Sequence, residues 1–174
     1  MTRTKIFGAT IALVFAVSMI GTAFAASNFL TVVSATTGED STLTTKSPIP
    51  TNGNKGAFGY GVIGATGVLV ATTHGGVGPD TEAQEDQSDP VMHIHTVTLG
   101  PNAGCPDGTA VTSITDESDD MKAIVDKKTL VMKGYTGQVG ALTSIVASFT
   151  LSVIGDPASP TAVCVNDLQL FDFS

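Results

Sequence analysis

The chain of 174 residues holds three histidines, His74, His93 and His95, all between positions 74 and 95. In PVMHIHTVTL, residues 90–99, His93 and His95 stand two apart inside a β-branched run, and the period of a strand puts both imidazoles on one face. His74 closes the run GVLVATTH. If those two runs pair or face each other across residues 75–90, His74 reaches the same side. Three imidazoles with one further position, filled by water or a carboxylate such as Asp80, make a ligand set for copper or zinc. Imidazole binds Cu(II) more tightly than the other divalent first-row ions, so copper is expected ahead of zinc. Without a metal, the same histidines are polar residues on the solvent face of a strand.

Other residues with chemical potential carry less. Cys105 and Cys164 lack CxxC spacing, and an even count in an exported chain reads as one disulfide. It would close a loop of about 60 residues, worth about 4 kcal/mol in loop-closure entropy. Gly59-Tyr60-Gly61-Val62-Ile63-Gly64 matches GxGxxG, but ATGVLVATT follows it and prefers extended structure, whereas a dinucleotide loop needs a helix N-terminus there. Strand glycines are the expectation. Carboxylates cluster at Asp80, Glu82, Glu85, Asp86 and Asp89, and again at Asp116, Glu117, Asp119 and Asp120. Such loops suit calcium, yet neither follows the DxDxDG pattern, and solvated, solubilising loops are expected. The serines include no GxSxG elbow, so a hydrolase has no nucleophile motif, and no catalytic residue is assigned.

These candidates must be positioned by whatever follows residues 1–25, which read as a secretory signal peptide. Arg3 and Lys5 precede an apolar run from Ile6 to about Ile20, and Ala23-Phe24-Ala25 supplies a small-residue cleavage pattern. A retained N-terminal anchor is the alternative and the one route to a membrane. Beyond Ala25 the chain keeps six lysines, no arginine and all sixteen carboxylates, a formal charge of −10 (6 − 16). No nucleic-acid partner is therefore expected and binding to anionic lipid surfaces is disfavoured, leaving a metal ion or a cell-surface partner for a secreted or extracytoplasmic protein.

Residues 26–56, rich in Thr, Ser, Gly and Pro, read as a flexible leader or long loop, with Phe29 to Val33 as a possible first strand. Residues 57–174 read as one domain of seven to nine short strands: AFGYGVI, GVLVATTH, VMHIHTVTL, TAVTSIT, a KAIVD/TLVMK hairpin turning at Asp126-Lys127-Lys128, ALTSIVASFTLSVI and AVCVNDLQLFDF. In ALTSIVASFTLSVI the odd positions from Ile145 through Ala147, Phe149 and Leu151 to Val153 are apolar, placing Ser144, Ser148 and Ser152 outward. Val163 and Val165 share a face that Leu168 and Leu170 leave, which predicts a bulge near Asn166-Asp167. The fold class is all-β, a mainly antiparallel β-sandwich of Ig-like or Greek-key type.

HIHTVTLGPNAGC resembles the copper-binding strand of Cu,Zn superoxide dismutases, in which HxH precedes a Gly-Cys whose disulfide partner lies in the final strand. CHRD-type β-sandwiches carry a similar HIH strand. The resemblance implies that His93 and His95 are copper ligands and that Cys105 pairs with Cys164. It covers about twenty residues and one distant cysteine. The zinc-loop histidines, the bridging histidine, a late histidine and the rim arginine of that family have no counterparts, and a chain of charge −10 would repel superoxide. The combination of leader, THGG, HxH and Gly-Cys also looks like small exported archaeal proteins. Two functions follow: an exported copper-binding protein for redox chemistry, storage or delivery, in which any enzymatic activity would be copper-dependent; or a structural or adhesive surface domain without metal.

Overall fold

A computed structural model describes residues 27–52, 55–73, 92–115, 121–134 and 138–174. Every regular element among them is a strand: β1 (Val32–Thr36), β2 (Ser41–Thr45), β3 (Phe58–Gly64), β4 (Val68–Thr73), β5 (His93–Pro101), β6 (Thr109–Thr115), β7 (Lys122–Asp126), β8 (Thr129–Lys133), β9 (Leu142–Asp156) and β10 (Ser159–Asp172). All pairings are antiparallel. Strands β1-β2-β8-β7 form an open sheet, and β10-β6-β5-β4-β3-β9 close into a barrel. Among the described residues no helix is long and apolar enough to cross a membrane.

The all-β, antiparallel reading therefore holds, while the two open sheets of a sandwich do not describe the molecule, because one sheet closes on itself. Alternation explains the layering. The inner faces of the barrel strands meet in one apolar cluster of Val70, Val97, Ala147, Phe149 and Val165. The opposite faces of β3, β4, β5 and β9 carry Tyr60, Leu69, Ile94 and Val146, which pack with Leu43, Leu130 and Met132 of the open sheet in a second, larger cluster. These four strands are thus buried on both sides.

Double burial corrects the expected orientation of β9. Ala147 and Phe149 are buried as expected, but so are Val146 and Ser148 on the other face. Ser148 is fully buried and its hydroxyl donates to the Leu30 carbonyl at 2.6 Å. A serine satisfied by a backbone acceptor costs little to bury, which is how a polar residue enters the inter-layer core.

Within the stretch 26–56, the described residues 27–52 are likewise more ordered than their composition implies. It contains β1 and β2, and Leu43 is 1% exposed between the two layers. Its threonines are β-branched, and pairing with β8 through Leu43↔Leu130 gives them a ladder. Phe29 and Leu30 are buried too, and the Tyr60 hydroxyl donates to the Phe29 carbonyl at 2.6 Å. Burial pushes the Tyr60 phenol above its usual range, so it remains a proton donor. The leader, residues 1–25, lies outside the described residues.

The bulge and the hairpin stand where the sequence puts them. Register between β9 and β10 shifts between Asn166 and Gln169, with Asp167 at φ 52°, and Lys127 turns the β7–β8 hairpin at φ 52°. Cys105 and Cys164 form a disulfide with a Cα–Cα distance of 5.4 Å. Its position matters: among the described residues Cys164↔Ala110 is the register pair that joins β10 to β6, so the disulfide fastens the seam at which the barrel closes.

Reduction is accordingly expected to lower Tm by well over ten degrees, since a closed loop spanning 59 residues is worth about 4 kcal/mol. Amide exchange should accelerate first in β6 and in the half of β10 around Cys164; uniform acceleration across all ten strands would contradict the seam role.

Candidate functional site

Two of the four expected ligands are described, and both sit inside the barrel. Along β4 and β5 the register is unbroken: Thr72 faces His93, Ala71 faces Ile94, Val70 faces His95 and Val68 faces Val97. Ile94 and Ala71 belong to the inter-layer core, whereas Val70 and Val97 belong to the inner cluster. Parity then places His93 and His95 on the inner face. His95 is 5% exposed, and His93, nearer the strand end, is half-buried. The solvent-face alternative does not describe either residue.

The two rings touch. Their centroids are 4.8 Å apart with planes at 89°, an edge-to-face contact. The same-face spacing of residues i and i+2 brings them together, and two strands along, in β3, glycines let the barrel wall close tightly on its interior. A Cβ at Gly59 would stand 2.7 Å from the Ala71 carbonyl oxygen and 2.8 Å from Cζ of Phe149; one at Gly61 would stand 3.0 Å from Cγ1 of Val68. These glycines of the GxGxxG match lie in β3 with β4 after them, so they serve close packing and not a pyrophosphate loop.

His74 follows Thr73, the last residue of β4, directly in sequence, but His74 and Asp80 lie outside the described residues, as do the carboxylates of 80–89 and 116–120. Among the described residues no group of three or more His, Cys, Asp or Glu could hold a metal ion. The disulfide lies between the loop after β5 and the middle of β10, whereas the histidines begin β5. The sequence reading missed Thr72, the one hydroxyl that the register sets beside His93 on the inner face. Only the offset between β4 and β5 reveals it, and GVLVATT against HIHTV fixes no offset by itself.

No protein-family model, no curated protein and no solved structure matches the chain.

The burial difference between the rings gives a stability test. His95→Ala should cost about 2–4 kcal/mol by opening a cavity among Val70, Val97 and Phe149, and His93→Ala less, because it is half-buried. Urea unfolding of both variants checks this; equal losses would place the two rings in equivalent environments.

Proposed function

We propose that the protein is exported and binds a single copper ion through His93 and His95 together with His74, with Asp80 or water completing the set, for redox chemistry, storage or delivery. The observation that carries the proposal is the contact between the two imidazoles on the inner face of the barrel. A metal–nitrogen bond of about 2.0 Å, plus about 1.2 Å from nitrogen to ring centre, sets two cis imidazoles roughly 4.5–5.2 Å apart between centroids. The separation of 4.8 Å falls in that range. The donors are nitrogens with a prospective carboxylate, a set that suits copper or zinc and favours copper. Copper, when bound, would supply one-electron chemistry; the chain supplies two imidazoles held by a strand ladder and a largely apolar surround.

The local likeness of HIHTVTLGPNAGC to the copper strand of Cu,Zn superoxide dismutases supports the same ligands. The disulfide between Cys105 and Cys164 has the placement that the likeness implies, and it is weakly compatible with an extracytoplasmic location.

Titration with Cu(II) should show one site per chain, weakening toward acid pH because imidazole must shed its proton to ligate. His93→Ala or His95→Ala should lower affinity at least about a hundredfold, while Asp116→Ala leaves it unchanged. Isothermal titration with a circular dichroism control for folding reads both. Equal affinity for wild type and His93→Ala would remove the site and leave the structural or adhesive reading.

A further inference from the structure

The barrel seam leaves the last part of β10 with a neighbour on one side. Cys164 pairs with Ala110, and since the strands are antiparallel, β6 begins at Thr109 beside Val165 while β10 runs on to Asp172. One edge of this continuation is paired with β9, through Gln169↔Ser148, Leu170↔Ala147, Phe171↔Val146 and Asp172↔Ile145. Along the other edge no strand among the described residues is paired with it. Asp107, in the loop before β6, accepts the Asp167 N–H at 2.7 Å at the point where β6 gives out.

One hydrogen bond fixes which backbone groups face that open edge. The Phe173 N–H donates to the Ser144 carbonyl at 3.2 Å, so in alternation Phe171 and Gln169 also turn their N–H and C=O groups to β9. The Leu168 carbonyl, and both groups of Leu170, then turn the other way. The side chains of Leu168 and Leu170 share a face and are 43% and 52% exposed. Leu170 lies across from Ala147 of the inner cluster, so the leucines have the parity of buried residues and are exposed where β6 no longer flanks them. The two edges of the open sheet are blunted, β7 by Lys122 and Asp126 at its ends and β1 by a register shift between Val32 and Ser34. Between Asp167 and Asp172, the β10 edge reads Leu-Gln-Leu-Phe and carries no charge.

We propose that two copies of this chain pair antiparallel along this edge, about a two-fold axis at Gln169, and form a closed dimer. Any extended strand could use the same backbone groups; the side chains select a second copy, because the edge is its own complement. With the axis at Gln169, Leu168 of each copy stands opposite Leu170 of the other, and the Leu170 N–H of each meets the Leu168 carbonyl of the other. All four leucines then lie on one face. Asp167 and Asp172 stand opposite Phe171 and Asn166, so no carboxylate is set against its like. An axis at Leu170 would instead put Leu168 opposite Asp172. The contact is isologous and closes at two copies. A strand edge of about five residues falls below the ~800 Å² per partner of stable complexes, so the dimer is weak and depends on concentration. Both copies are net negative, so salt tightens the dimer by screening their repulsion.

Sedimentation velocity of the purified protein from about 10 µM to 1 mM tests this, since an interface of this size is expected to dissociate within that range. The protein should pass from monomer to dimer with no larger species, and the dimer should persist or tighten at about 1 M salt. Leu168→Lys/Leu170→Lys should weaken association at least about tenfold with unchanged circular dichroism, whereas Ile114→Lys, at the other end of the seam, leaves it as it is. If the lysine pair disturbs β10, Leu168→Thr/Leu170→Thr keeps the strand and should still weaken association at least about fivefold. Mixing the lysine variant with Leu168→Asp/Leu170→Asp should restore a one-to-one dimer, because each lysine then faces an aspartate. A wild type monomeric throughout, a species that grows past the dimer, a dimer lost at high salt, or one indifferent to the leucine substitutions would overturn the proposal.

Discussion

Closing six strands around an interior filled by side chains leaves almost no volume over β3, and Gly59 and Gly61 are the residues that make closure possible. Phe149 reaches across to within 2.8 Å of where a Cβ at Gly59 would stand, beside the Ala71 carbonyl and the Thr72 methyl. A larger residue there would lift Phe149 out of the inner cluster and push β3 from β4, undoing both ladders of β3. Much else depends on that approach. With the interior full, the apolar residues of the opposite parity, Phe58, Tyr60 and Val62, have only the outside of the barrel to occupy. They must be covered, and the open sheet with the Phe29-Leu30 turn covers them. On the wall formed by β6 and part of β10, the seam between the two strands is held, among the described residues, by the pair Cys164↔Ala110 and the disulfide.

The number and order of strands from residue 57 onward were legible because β-branched runs are separated by Gly, Pro and Asp at regular distances. The β10 bulge and the β7–β8 turn were legible for a similar reason: each needs a residue that breaks parity or accepts positive φ. Closure was not legible. A strand buried on both faces and one buried on a single face differ only in whether the second parity finds a cover, and Val146 and Ser148 look alike from either side until the open sheet is placed. The same gap hid β1 and β2. Their polar composition argues for a loop when each residue is weighed alone, whereas Ser41, Leu43 and Thr45 form an alternating buried face once β8 supplies a ladder.

For the histidines, parity was sufficient to put His93 and His95 on one face, but not to say which face. The interior assignment follows from Val70 and Val97, and it changes the physics of the pair. On a solvent face two imidazoles would exchange their hydrogen bonds with water freely. Inside, His95 is largely desolvated beside valines, and each ring becomes part of the environment of the other.

That environment constrains any metal proposed there. Two neutral imidazoles bring a divalent ion into a low-dielectric interior without cancelling its charge, and the residues that the register sets beside them, Val70, Thr72 and Val97, supply no anion. Compensation has to come from outside the described strands. The stretch between Thr73 and Met92 is the nearest in sequence to both β4 and β5, and it carries five carboxylates besides His74. A copper site in this protein is therefore either completed by that stretch, Asp80 included, or confined to the half-buried position of His93, where water can share the charge.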